Sequence, residues 1–203
     1  MPEINRGLFL RLGVAGVVGT VGAGLMAEPA AAALPVPRPQ GDDVGFLSFG
    51  AVGELASAAW YERAARVRGF SAGERRRLRQ GAAGKAGHIE RINAVLGPDA
   101  IAPGDFAARF PSNRFASKAR ALTLGASLEN LLVGVYLNGA AFAADSATRL
   151  MLGRLLTFDA QQLAWMRGLD GAPAAAGLAV PVSLEQAGAQ LDRLVTTPNF
   201  PTS

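Results

Sequence analysis

Two stretches of this chain repeat each other, and the repeat limits what the chain can fold into. Glu54 is followed seven residues on by Tyr61, and Glu129 seven residues on by Tyr136. His88 lies nine residues before Gly97, and Gln162 nine before Gly171. Three residues ahead of that pair stand Lys85 and Asp159, so the separations agree: 31 residues from Glu54 to Lys85, 30 from Glu129 to Asp159. The pattern predicts two similar helical hairpins. Each offers one position on its first helix and an i, i+3 pair on its second. Side chains three apart share a helix face, so both members can point into one space.

The punctuation between these positions agrees with helices. Asp42 or Asp43 can cap a first helix that starts at Val44 and runs to Arg68, with Gly69 ending it. Phe46, Phe49, Ala56, Trp60 and Ala64 recur along it at helical spacing. Ser71-Ala72-Gly73-Glu74 reads as a capping box for a second helix, which Gly97-Pro98 stops. Residues 97–116 hold Pro103, Pro111 and three phenylalanines, and read as a long crossover whose Phe106, Phe110 and Phe115 pack on the helices. A third helix is predicted from about Ser117 to Ala143. A fourth, capped by Asp145 or Ser146, ends near Gly168 or Gly171. After an Ala/Gly/Pro loop, Ser183-Leu184-Glu185-Gln186 is a second capping box and opens a short helix to about Val195. No stretch alternates as a strand does, so the expected fold is all-α: two helix pairs joined by one long crossover, then a short C-terminal helix.

The N-terminal part reads differently. Arg6 and Arg11 precede an uncharged run from Leu12 to Leu25, too short for the ~20 residues a membrane-spanning helix needs. With the small residues Ala30 to Ala33 it matches an export signal over residues 1–33, cleaved near Ala33. The segment from Arg6 to Arg11 is like a twin-arginine signal with Gly7 in place of the second arginine. An uncleaved leader would instead anchor the chain to a membrane. Residues 34–41, with Pro35, Pro37 and Pro39, form a Pro-rich linker. The bundle is expected over 42–171, and the loop, short helix and tail over 172–203. The mature chain would be found in the periplasm, cell envelope or extracellular space.

Composition removes several chemistries. There is no cysteine among the 203 residues, which excludes disulfides, zinc–thiolate sites, iron–sulfur clusters and thiol nucleophiles. One histidine, His88, is all that a Ser-His-Asp triad or a zinc site could draw on. There is no P-loop, no G-x-G-x-x-G after a strand, no G-x-S-x-G and no H-E-x-x-H, so hydrolase and nucleotide-binding readings have no residues to rest on. All cationic residues but Lys85 and Lys118 are arginine. In a chain rich in Ala and Gly this reflects base composition, so the net charge of +4 does not imply a nucleic-acid partner. Arg75, Arg76, Arg77 and Arg79 could form an anion-binding patch or simply a solvated face.

At Gly53-Glu54, Trp60-Tyr61, Gly87-His88-Ile89, the run from Leu128 to Leu137 and the run from Asp159 to Arg167, the chain resembles the ferritin-like superfamily. The nearest type is its exported, desiccation-related branch. The resemblance implies a four-helix bundle around a di-metal site built from Glu, Glu-x-x-His, Glu and Glu-x-x-His. By that resemblance Glu54, His88 and Glu129 keep ligand positions, Asp159 replaces a Glu, and Gln162 replaces the second His. Lys85 stands where a bridging Glu is expected. Three carboxylates and one ammonium carry a net charge of −2, enough for one divalent ion but not for two. A metal-free bundle is expected, or one with at most a single Fe or Mn. Lys85 would pair with Glu54 or Glu129, and Tyr61 and Tyr136 would bond to the same network. Alternatively Lys85 snorkels to solvent and His88 is an ordinary core residue. Glu62 and Glu90 point elsewhere and should be solvated.

Two functions follow from the resemblance. One is an exported, non-enzymatic, stress- or envelope-associated bundle with a degenerate metal site and no required cofactor. The other is an iron- or manganese-binding protein acting on oxygen or peroxide. The leader, linker and long loop suggest an assembly smaller than a cage, such as a homodimer.

Overall fold

The computed structural model describes residues 36–173 and 179–195. The leader, the start of the linker, part of the loop after the fourth helix and the C-terminal tail lie outside the described residues. The described chain is all-helical, with no strand. Its helices are α1 (Asp42–Ala64), α2 (Ala72–Leu96), α3 (Lys118–Phe142), α4 (Ser146–Leu169) and α5 (Leu184–Leu194). Two 3-10 turns, Gly97–Asp99 and Ser112–Phe115, lie within the crossover. Helix α1 packs chiefly on α2 and α3 chiefly on α4, and α1 against α3 joins the two hairpins.

The predicted caps form. Ser71 Oγ accepts from Glu74 N, and Glu74 Oε2 accepts in return from Ser71 N at 2.7 Å. Ser183 and Gln186 make the same box on α5. Ser117 caps α3 and Asp145 caps α4 through the amide of Thr148. The first helix differs from expectation at both ends. Its N-cap is Gly41, because Asp43 is turned inward: Asp43 Oδ1 accepts from Ala144 N, and Oδ2 from Asp145 N and Gln40 N. This buried carboxylate ties the start of α1 to the turn between α3 and α4. Burial raises its pKa, but those three amides outweigh burial and hold it below the ordinary value. The helix stops at Ala64, not Arg68. Residues 65–70 form a turn that buries Val67 and Phe70, and Gly69 takes φ +97° there with Lys118 against it.

The core lies between the hairpins. Trp60, Tyr61, Tyr136, Leu47, Leu78, Ile92 and Leu132 are fully buried or nearly so, each large apolar group contributing about 1.5–3 kcal/mol. Two glycines set how closely α1 and α3 approach. A Cβ on Gly125 would fall inside the Trp60 indole, whose Nε1 donates to Ala121 O at 3.0 Å. A Cβ on Gly50 would lie 3.0 Å from the Tyr136 hydroxyl. In the crossover, Phe106 and Phe110 enter the core as expected, with Phe115 half-buried against Phe110. Asn93 anchors the crossover through paired bonds to the Ile101 backbone. Helix α5 closes over α3 and α1: Val182 N donates to Gly134 O, and Ala187 and Leu191 are buried.

Candidate metal centre

Each of the four long helices sends an ionisable side chain to one point. Glu54 comes from α1, Lys85 and His88 from α2, Glu129 from α3 and Asp159 from α4. The first, second, fourth and fifth of these are 0% exposed, and His88 is 6% exposed. Lys85 does not snorkel. Its Nζ lies 3.0 Å from Glu54 Oε2, donates to Glu129 Oε2 at 2.9 Å, and donates to Asp159 Oδ1. The contact with Glu54 is close but poorly aligned, so it is an ion pair rather than a directed hydrogen bond. An ammonium has three N–H groups, and here they face three acids.

The other oxygen of Glu54 is held from both hairpins. Tyr136 O–H donates to Glu54 Oε1 at 2.8 Å, and His88 Nδ1 lies 3.0 Å from the same atom. The His88 ring packs edge-on against Phe158, with centroids 4.7 Å apart. Tyr61 faces Glu129 as the repeat implies, but its hydroxyl makes no hydrogen bond of ordinary geometry. The Tyr61 ring fits because Gly81 leaves space for it; a Cβ there would sit 2.5 Å from Tyr61 Cε1.

The electrostatics follow from crowding three acids around one ammonium. Burial pushes the Lys85 pKa down, yet Asp159, Glu129 and Glu54 together outweigh burial and raise it, so Lys85 stays charged. Burial pushes Glu54 up, but Lys85 and His88 bring it below its ordinary value. Glu129 is raised, by burial and by Glu54, in spite of Lys85. Asp159 is raised by burial and by Glu54 and Glu129, in spite of Lys85. Burial and the nearby carboxylates push both tyrosines well above their usual range, so both stay neutral, and Tyr136 can donate to Glu54.

Donor atoms of Glu54, His88 and Asp159 lie within 4.8 Å of one another, a spread that one ion can bridge. Glu129 joins the cluster through Lys85 and is not one of that triad. Gln162 is buried one turn beyond Asp159, its Oε1 without a partner among the described residues. It is not bonded to Lys85 or His88. Glu62 and Glu90 are exposed. Gly50 and Gly125, each four residues before its glutamate, are a further part of the repeat, and they let the Tyr136 and Trp60 rings pass. Phe158, which closes the His88 side, carried no sequence signal.

A helical bundle in two hairpins, with ionisable side chains from every long helix meeting at its centre, defines a class. The chain belongs to the ferritin-like domain family, which it matches over residues 42–172. No curated protein and no solved structure matches it.

Proposed function

We propose that this chain is an exported, non-enzymatic ferritin-like bundle in which Lys85 takes the place that relatives give to metal ions. The observation that supports this is the Lys85 ammonium within bonding distance of acids from three other helices. Two metal ions do not fit these residues. The ammonium fills the space between the acids, and it leaves a net −2 where a pair of divalent ions needs −4. Two unit charges ~4 Å apart interact by about 4 kcal/mol at an effective dielectric of ~20, and a divalent ion doubles that repulsion. The same ammonium gives buried carboxylates a partner, without which their burial is costly. The bundle is then held at its centre without a metal, as suits a structural protein that meets variable metal supply outside the cell. The export part of this reading rests on the sequence of residues 1–33, and its stress or envelope association on the resemblance to the desiccation-related type.

A second reading has its own observation, the triad of Glu54, His88 and Asp159. It would make the chain an iron- or manganese-binding protein acting on oxygen or peroxide, with Lys85 swung away from Asp159. Metal analysis separates the two. The full chain is purified, incubated with excess Fe(II) or Mn(II), desalted and assayed for metal per chain. Less than one ion per chain is the expected result. One tightly held ion per chain, or more, would overturn the first reading and establish the second.

A further inference from the structure

Away from the buried cluster, the arginines gather at one end of the bundle. Helices α1 and α3 run antiparallel, since Trp60 meets Gly125 and Gly53 meets Leu132. The C-terminus of α1 and the N-termini of α2 and α3 therefore share an end. Between Tyr61 and Gln80 the chain carries seven arginines against two acids, Glu62 and Glu74. The opposite end holds Asp42, Asp43 and Asp145.

We infer that this basic end carries an anion-binding cleft for phosphate-type oxyanions, built from Arg63, Arg66 and Arg68. The cleft has a volume of about 610 Å³ and is lined by those three arginines with Glu62, Val67 and Phe115 among its walls. All three arginines are exposed, and among the described residues none forms a salt bridge. Glu62 is the one acid in the wall, so the cleft is net +2. Attraction to the carbonyl end of α1 does not explain the trio: only Arg63 lies in the last turn, and Arg66 and Arg68 lie beyond the helix.

The cleft is also shaped in advance. The Arg63 guanidinium lies over the Phe115 ring, 4.4 Å from its centroid, which restricts its rotamers while leaving its N–H edge free. Val67 and Phe70 are buried and pin the turn that carries Arg66 and Arg68. Lys118 bonds Glu74 at 2.7 Å, fastening the start of α3 to the start of α2 beside it. Guanidinium groups grip phosphate oxygens in pairs of N–H bonds; the turn and Arg63 are ordered beforehand, and the Arg66 and Arg68 side chains are ordered on binding. The ligand chemistry is that of closely spaced phosphates, free in solution or displayed as lipid headgroups. This inference is independent of the metal question.

The test uses the full chain and two probes at low salt: inorganic pyrophosphate by calorimetry, and phosphatidylglycerol vesicles by co-sedimentation. The test variant is Arg63→Gln/Arg66→Gln/Arg68→Gln. The control, Arg91→Gln/Arg154→Gln/Arg193→Gln, removes the same charge from exposed positions away from the cleft. Binding of either probe should weaken about tenfold or more in the test variant, stay near wild type in the control, and fall with added salt. A response to pyrophosphate identifies a soluble phosphate as the ligand class, and a response to vesicles alone identifies headgroups. Failure of both probes to bind the wild type, or equal weakening by both variants, overturns the inference. Circular dichroism spectra matching wild type show that the variants are folded.

Discussion

The Lys85 ammonium lies 2.9 Å from Glu129 Oε2, 44 residues away along the chain, with neither side chain reached by solvent. Its closeness also to Glu54 and Asp159 makes one lysine the link among all four long helices. Removing it should be more damaging than removing any one acid. Lys85→Met leaves three buried carboxylates without a counter-charge, and unpairing a buried ion typically costs about 3–5 kcal/mol. Urea denaturation at neutral pH should show that loss. The loss should shrink in acid, where protonation of the three acids removes the repulsion.

Lys85→Glu asks whether the remaining donor set is still able to hold metal. Without added ion this variant should unfold at lower temperature than wild type, because four acids then meet unneutralised. Mn(II) should restore it: an ion at a hundredfold its dissociation constant stabilises by about 2.7 kcal/mol. The melting temperature of wild type should not respond. A Mn(II)-dependent rise in wild type equal to that in the variant would show that Lys85 does not keep ions out.

Tyr136→Phe removes the O–H that donates to Glu54 Oε1 and nothing else of size. A hydrogen bond to a charged group contributes about 1.5–3 kcal/mol, and the denaturation midpoint should fall accordingly. Tyr61→Phe should cost less, since the Tyr61 hydroxyl makes no well-formed bond.

Asp43 governs the acid side of stability at the far end of the bundle. Its pKa is depressed on folding, because three backbone amides outweigh the effect of burial. The stability it contributes is fully present above its unfolded value near 3.8 and is lost as pH falls through the lower folded value. Asp43→Asn should destabilise by about 1–3 kcal/mol at neutral pH, since an amide NH2 then faces a backbone N–H. It should also flatten the acid limb when melting temperature is followed from pH 6 to pH 2.

Two glycine substitutions should differ in sign. Gly153→Ala, inside α4 with open space around its Cβ, should stabilise by about 1 kcal/mol through helix propensity. Gly125→Ala gains the same propensity but drives a methyl into Trp60, which is fully buried and tethered to Ala121 O. Overpacking costs about 1–3 kcal/mol, more where the neighbour is fixed, so the net change should be a loss. Urea midpoints of the two variants measure both.

Local signals and spacing made much of this protein legible. The capping boxes at Ser71 and Ser183 and the cap at Asp145 mark where helices start, because an orphan N–H needs an acceptor within a few residues whatever the rest of the chain does. The Glu–Tyr spacing and the i, i+3 pairs marked which residues would meet, because a duplicated hairpin repeats its geometry. The cap of α1, which the sequence offers as Asp42 or Asp43, is the exception, since only the packing of α1 on the α3–α4 turn supplies the amides that draw Asp43 inward.

From sequence alone, Lys85 could lie inside the bundle or snorkel out, and Gln162 could be a ligand or a bystander. Helical period places a residue on a face and not within a distance of residues on three other helices. The choice rested on whether the Coulomb attraction of three acids exceeds the cost of taking an ammonium out of water. That balance depends on separations of about 3 Å, which only the tertiary structure provides.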